Sequence, residues 1–367
     1  MTTMRAIVLL LGMVLLGGCG SPRERITGCA ALGELAPVCG FSRPEDMELL
    51  GDSRTLLISE MGSPQTNSPG SLVLFDTRSE TITRLPQFTE PSDEYWGQPS
   101  CTTPPGTAFS PHGIHLSRRA DGRWQVLAVN HGGRESVEYF ELSDDSAGHH
   151  LEWRGCVLPP PDSYLNDVVA LPEGGFLATH MFPKSGPTLR SINLHMLKGM
   201  LGFATGHVVH CDNGGCNAVA GTETAFPNGI QLARDGRTMY VDGYLAGEVR
   251  KISYPDGRLL GIAKVDAPDN IQWDADGRLL VASHIGGYSE SRGCYLVTEG
   301  ACPAAFAIVE IDPQSMQSRT VFRHAGAPMG AATVAQQAGD ALYLGSYAGD
   351  RILRVPLTAI SARPRTP

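Results

Sequence analysis

An all-β, six-bladed β-propeller with one short capping helix is the fold this 367-residue sequence predicts, on three observations. A phrase recurs six times, as Pro44-Glu45-Asp46, Pro111-His112-Gly113, Leu165-Asn166-Asp167, Pro227-Asn228-Gly229, Pro268-Asp269-Asn270 and Pro328-Met329-Gly330. Each copy opens an apolar run, then a turn, then a second apolar run, as in Ile230-Gln231-Leu232, Asp235-Gly236 and Met239-Tyr240-Val241. Equivalent turns stand at Gly51-Asp52-Ser53, Ala120-Asp121-Gly122, Pro172-Glu173-Gly174, Ala275-Asp276-Gly277 and Ala338-Gly339-Asp340. Such residues tolerate the positive φ of a hairpin turn. The copies lie roughly 40 to 70 residues apart, the length of a strand-built unit repeated around an axis.

If every copy begins the same strand of its blade, the second residue of each lies at one height around the axis. Those residues are Glu45, His112, Asn166, Asn228, Asp269 with its neighbour Asn270, and Met329. Five blades then present oxygen or imidazole groups to one central spot. Such a set suits Ca²⁺, which takes about 6 to 8 oxygen ligands. A single Asn-Gly or Asp-Asn pair is an ordinary turn dipeptide, so the metal-binding reading rests on the periodic recurrence.

Residues 1–18 read as an export leader, with Arg5 as its positive start and Ala6 to Leu16 as an apolar stretch short of a bilayer span. Leu16-Gly17-Gly18-Cys19 resembles a bacterial lipobox, in which cleavage leaves Cys19 as the lipidated N-terminus. The expected location is the cell envelope, lipid-anchored and facing the periplasm or the cell surface. Residues 19–40 are expected to form the lipidated tether leading into the first blade, 41–357 the propeller and 358–367 a C-terminal tail.

Low charge, 43 glycines and 26 prolines agree with one large all-β domain. A net charge of −9 and the lack of a basic stripe speak against nucleic acid, so the expected partner is a small molecule and the expected state a monomer. Nine cysteines less Cys19 leave an even set in an exported chain, where disulfides persist. The local pairs Cys211–Cys216 and Cys294–Cys302 are expected; the sequence leaves the pairing of Cys29, Cys39, Cys101 and Cys156 open, with Cys29–Cys39 and Cys101–Cys156 as one arrangement. His207, His210, Cys211 and Cys216 are also spaced for zinc, a reading that the oxidising compartment disfavours. Between Leu189 and Ala204 the pattern changes: Leu189, Ile192, Met196, Met200 and Ala204 fall on one helical face. A helix there would cap the propeller, with Leu197, Leu201 and Phe203 left for a ligand or a membrane.

No Gly-x-Ser-x-Gly elbow and no His-Glu-x-x-His motif occurs, so serine-hydrolase and zinc-protease chemistry lack their sequence basis. His131-Gly132-Gly133 is only half of an oxyanion motif. What remains is the oxygen-rich centre and two histidines of one blade. His112 begins a strand and His131 follows the apolar run Val126 to Val129, which places them close across a hairpin. A histidine beside a bound Ca²⁺ can serve as a general base at neutral pH.

These stretches resemble the paraoxonase/arylesterase family of calcium-dependent six-bladed propellers. The resemblance runs from about Phe41 to Leu357 through Pro-Glu-Asp-Met-Glu at 44–48, Phe-Ser-Pro-His-Gly-Ile at 109–114, Val-Asn-His at 129–131, Leu-Asn-Asp-Val-Val at 165–169, Phe-Pro-Asn-Gly-Ile at 226–230 and Asp-Asn-Ile at 269–271. It implies a catalytic Ca²⁺ held by Glu45, Asn166, Asn228, Asp269 and Asn270. It implies a second, structural Ca²⁺ held by Asp46, Asp167 and the carbonyl of Ile114. It further implies a histidine dyad of His112 and His131 and a pocket lined by Phe226, His284, Thr333 and Tyr347. Animal members join the first and last blades with a disulfide, whereas no cysteine here follows Cys302, so closure near Ile352 to Leu357 must rest on strand pairing. The segments Ser59 to Asn67 and Lys184 to Gly206 are not close matches, and substrate range transfers least.

The reading is therefore a lipoprotein that hydrolyses lactones or aryl esters, with Ca²⁺ as Lewis acid and His112, assisted by His131, activating water. Asp269 is the alternative base or nucleophile. The competing classes are a calcium-stabilised binding propeller without turnover, and propeller chemistry of the gluconolactonase or strictosidine-synthase-like type.

Overall fold

Six four-stranded antiparallel sheets follow one another in the computed structural model, which describes residues 25–360 apart from 63–67, 87, 89–93, 146–147, 190–191, 287–289, 291 and 298. The expected leader and the lipidation site Cys19 lie outside the described residues. Blade 1 is built from Pro44–Leu49, Thr55–Glu60, Ser71–Asp76 and Thr81–Arg84; blade 2 from Pro111–Arg118, Trp124–Asn130, Ser136–Asp145 and Gly148–Val157. Blade 3 uses Leu165–Ala170, Phe176–His180, His207–Asp212 and Gly215–Ala218; blade 4 uses Pro227–Leu232, Thr238–Gly243, Glu248–Ser253 and Leu259–Lys264. Blade 5 uses Pro268–Trp273, Leu279–His284, Phe306–Ile311 and Ser318–His324, and blade 6 uses Ala332–Ala338, Ala341–Ser346 and Arg351–Pro356. The first strand of each blade touches the first strand of the next, and blade 6 returns to blade 1, which closes the ring.

Burial follows from this stacking. Second strands such as Thr55–Glu60, Leu279–His284 and Ala341–Ser346 are buried at every residue because a blade lies on each side, so they read as unbroken apolar runs rather than alternating ones. Outer strands such as Thr81–Arg84 are mostly exposed. An apolar cluster fills each space between adjacent blades. Between blades 6 and 1, Phe75 is fully buried with its ring centroid 5.9 Å from both Phe41 and Tyr343. Burial of one such ring contributes about 2 to 3 kcal/mol.

The ring is fastened by strand pairing. Ala36–Cys39 forms the outer strand of blade 6, with Ala36 opposite Arg354 and Cys39 opposite Arg351. This closing strand lies within residues 19–40, the stretch read as tether, so the propeller begins before residue 41. A four-residue strand carries no periodicity of its own, which is why the sequence pattern did not separate it. The disulfide Cys29–Cys39 braces that strand from its N-terminal side. Cys211–Cys216 and Cys294–Cys302 form as expected, and Cys101–Cys156 settles the pairing that the sequence left open. With both thiols consumed, Cys211 and Cys216 are not zinc ligands.

The capping helix is shorter than its apolar pattern suggests. It spans Leu194–Met200, capped by the Asn193 side chain accepting from the His195 amide at 2.8 Å, and it ends before Gly202, whose φ is 84°. Thr188–Leu189 and Ile192–Asn193 form a two-stranded hairpin instead of its first turn. Met196 and Gly199 are buried, whereas Met200 is exposed, so the inward face differs from the expected one.

Candidate active site

Five of the six recurring phrases begin the first strand of their blade, at Pro44, Pro111, Leu165, Pro227 and Pro268. Within each, the register against the second strand slips, for example between Pro44 and Asp46 and between Pro227 and Ile230. A bulge of this kind re-aims side chains, here toward the axis. The residues before three of these strands, Arg43, Phe226 and Ala267, and Ala331 before the first strand of blade 6, hold positive φ, a strained state that such residues adopt where the surroundings over-determine it. Blade 6 follows the rule through Ala332-Thr333-Val334, with its slip between Ala332 and Val334. The expected sixth phrase, Pro328-Met329-Gly330, is thus displaced by four residues. Met329 is fully buried in the apolar cluster between blades 5 and 6, and Thr333 takes the axial position.

Close approach at the axis explains the glycines of the phrase. A Cβ on Gly113 would lie 2.5 Å from Asp167 Oδ1, and one on Gly229 would lie 2.8 Å from Asp242 Oδ2. Neither position has room for a side chain.

Glu45, Asn166, Asn228, Asp269 and Asn270 are all buried at the axis. Asn270 Nδ2 donates to Glu45 Oε1 at 2.9 Å, and Thr333 Oγ1 donates to the Glu45 carbonyl at 2.6 Å. Four oxygens are left without a hydrogen-bond partner: Glu45 Oε2, Asn166 Oδ1, Asn228 Oδ1 and Asn270 Oδ1. A buried acceptor left unsatisfied costs about 1 to 3 kcal/mol, so four together point to a ligand that accepts oxygen donors. Among the described residues no three His, Cys, Asp or Glu form a metal-holding group by themselves, so the amide oxygens are essential to the set. Carboxylate and amide oxygens fit a hard divalent cation, not a thiophilic one.

Asp46 and Asp167, the residues after Glu45 and Asn166, are buried as well. Asp46 accepts from the Met47 and Ile114 amides at 2.8 Å each; Asp167 accepts from Val168 at 2.7 Å and from Ile230 at 2.8 Å. Each carboxylate thereby links its own blade to the next, and neither leaves an orphaned oxygen. Burial and then the neighbouring Glu45 push Asp46 up to about 8. Asp167 is held well above the carboxylate range by burial and by Asp46, and Asp269 by burial and by Glu45. Asp242, absent from the sequence-based candidates, joins them. It is fully buried, its Oδ1 has no hydrogen-bond partner, and burial, Asp269 and Asp167 raise it well above its usual range. Carboxylates crowded this way hold protons unless a cation balances them.

The two histidines meet as expected, with His112 Nδ1 3.0 Å from His131 Nε2. Two carboxylates end this chain. His112 Nε2 faces Glu45 Oε1 and Asn166 Nδ2, both at 3.5 Å, and His131 Nδ1 lies 3.0 Å from Glu135 Oε2. Burial would lower His112, but Glu45, Asp46 and Glu135 together outweigh it and the ring is raised; burial prevails at His131, which is lowered. Glu135 was not a sequence candidate. Its only signal is its place at the far side of the turn His131-Gly132-Gly133-Arg134-Glu135, which folds the fourth residue after His131 back onto the ring.

Glu45, His112, Asn166, Asn228 and Asp269 form the floor of a cavity of about 510 Å³. The expected pocket residues Phe226, His284, Thr333 and Tyr347 all line it, together with Tyr164, Tyr244, Tyr295 and the methionines Met61, Met181 and Met196. His284 Nδ1 is 3.1 Å from the Tyr244 hydroxyl and its Nε2 3.5 Å from Asp269 Oδ2, and burial lowers the ring to about 4, so it is neutral. A hollow of similar volume between the outer turns of blades 6 and 1 is lined by Asp52, Arg54, Arg78, Asp340 and Arg354. None of its lining residues carries a buried, unpartnered polar atom.

Comparison with known proteins supplies independent evidence. The sequence profile described as Arylesterase matches residues 53–353. No curated protein sequence matches the chain. Among solved structures, a gluconolactonase from Xanthomonas campestris is 18% identical, with 93% of this chain and 96% of that one covered at a TM-score of 0.51. A luciferin-regenerating enzyme is 14% identical, with 89% and 95% covered at a TM-score of 0.52. At such identities the likeness shows the propeller fold.

Proposed function

Because the chain belongs to the arylesterase family, whose membership supports a hydrolase, we propose that it cleaves lactones or aryl esters with a Ca²⁺ held by Glu45, Asn166, Asn228, Asp269 and Asn270. The observation that carries this reading is the set of four orphaned buried oxygens beside a histidine pair, of which His112 lies on the floor of an aromatic cavity. When bound, the ion would supply Lewis-acid polarisation of the ester carbonyl and balance the charge that develops on its oxygen. Asp46 and Asp167, with the Ile114 carbonyl, would hold a second, structural ion; two buried carboxyls, of which Asp46 raises Asp167, support this assignment.

His112 Nε2 takes a proton from water as the water oxygen attacks the carbonyl carbon. The same nitrogen returns the proton to the departing alkoxide or phenolate, which leaves a carboxylic acid and an alcohol or phenol. His131 steadies the imidazolium through its contact with His112 Nδ1. The ring-rich wall excludes bulk water and suits the flat body of a lactone or aryl ester. A panel of lactones and phenyl esters, assayed in calcium and after chelation, tests the proposal. The expected result is turnover of at least one class that vanishes in chelator and returns with calcium; turnover indifferent to chelator, or absent on both classes, overturns it.

The four disulfides fit an oxidising compartment. We accordingly place the protein in the bacterial cell envelope, held by lipid at Cys19. Cys19→Ser is expected to shift it from the membrane pellet to the soluble fraction with its fold intact, and a wild-type protein already in the soluble fraction would remove the anchor.

A further inference from the structure

We propose that Glu135 is a positioning residue that sets which nitrogen carries the proton in both His131 and His112. The inference rests on His112 as the base and extends that reading to a residue outside the cavity.

Three N–H donors converge on Glu135. The Leu165 amide donates to Oε1 at 2.7 Å, Lys184 Nζ lies 2.5 Å from Oε2, and His131 Nδ1 lies 3.0 Å from the same oxygen. The first two can only donate, and together with the ring they hold the buried carboxyl below its usual range despite its burial. An ionised carboxylate only accepts, so His131 must carry its proton on Nδ1. His131 Nε2 is then bare and accepts from His112 Nδ1–H at 3.0 Å. That leaves His112 Nε2 as the bare nitrogen, the one at the cavity floor, where it faces Asn166 Nδ2 and Glu45 Oε1, both at 3.5 Å, and of the two only the Asn166 amide can donate to it. One carboxylate therefore orders two rings in series and delivers a lone pair to the reacting water. If Glu135 were missing, each ring could reverse, and a protonated His112 Nε2 could not act as a base.

Tyr164 holds the geometry, its ring centroid 4.8 Å from that of His131 and its face 5.3 Å from Lys184 Nζ. Lys184 is part-exposed, so the line from Lys184 through Glu135 and both histidines runs from solvent to the cavity floor. Leu165 immediately precedes Asn166, so the same carboxylate also fixes the strand that bears an axial ligand.

The test is ring-nitrogen NMR on histidine-labelled mature protein kept in calcium, at a pH where both rings are neutral, paired with steady-state kinetics. Protons on Nδ1 of both rings are expected in the wild type. Glu135→Gln, which keeps an acceptor for the Leu165 amide, is expected to mix the tautomers and lower kcat by roughly 10- to 100-fold with KM unchanged. A wild-type His131 protonated on Nε2 overturns the assignment without needing any variant to fold, and so does a Glu135→Gln protein with wild-type kcat. Full turnover in His112→Gln would instead sink the base reading, while the ring signals would still decide the tautomers.

Discussion

Asn166→Ala and Asp269→Ala are each expected to lose calcium and turnover together, whereas His112→Gln is expected to lose turnover alone. The two outcomes separate because the groups act at different places on the cavity floor. Asn166 Oδ1 is a buried oxygen with no protein partner, and Asp269 is a buried carboxyl crowded by Glu45. Removing either deletes a donor from a set of about 6 to 8. His112 contributes a nitrogen that faces the oxygens rather than replacing one of them. Its loss should cost roughly 10²- to 10⁴-fold in kcat, the usual contribution of a positioned base, while calcium content and melting temperature stay near wild type. Asp269 remains the competing base. If His112→Gln keeps near-normal lactone turnover while Asp269→Asn retains calcium and loses activity, the proton passes to Asp269 and the histidines become pocket wall.

How far these residues could be read from sequence depended on whether local chain geometry or tertiary contact brings them to the axis. Glu45, His112, Asn166, Asn228 and Asp269 were legible because each follows the start of a first strand, and a bulge there aims the side chain inward in every blade. The sixth blade misled because Pro328-Met329-Gly330 copies the phrase while Ala332-Thr333-Val334 occupies its place, with residues that carry no turn signal. Asp242 sits on a second strand, where apolar residues are the rule, and becomes axial only because Gly229 lets it approach. Glu135 needed the hairpin after His131 and the arrival of Lys184 and Leu165 from blade 3. Such meetings leave no spacing in the sequence.

Metal-stripped protein is expected to lose stability as pH rises from about 4 to 8, the reverse of the usual acid-side loss. Asp46 is raised to about 8, and Asp167, Asp242 and Asp269 are raised well above their usual range, in each case first by burial and then by one another's or Glu45's charge. A carboxyl whose folded-state pKa lies above its unfolded value binds more protons folded than unfolded across that interval. Its contribution is therefore complete below the unfolded value near 3.8 and disappears as pH climbs through the folded value. Each such group adds a slope of up to about 1.4 kcal/mol per pH unit between its unfolded and folded values, where it is ionised in the unfolded state only. Calcium should cancel this slope, because liganded carboxylates have already released their protons and the ion balances their charge. It should add about 2.7 kcal/mol for each site at a free concentration 100 times its dissociation constant. Melting curves of dialysed protein from pH 5 to 8, with and without added calcium, give the measurement. The gap between the two melting temperatures should widen with pH; coincident curves across the range would show that the axial carboxylates are balanced by something other than a metal ion.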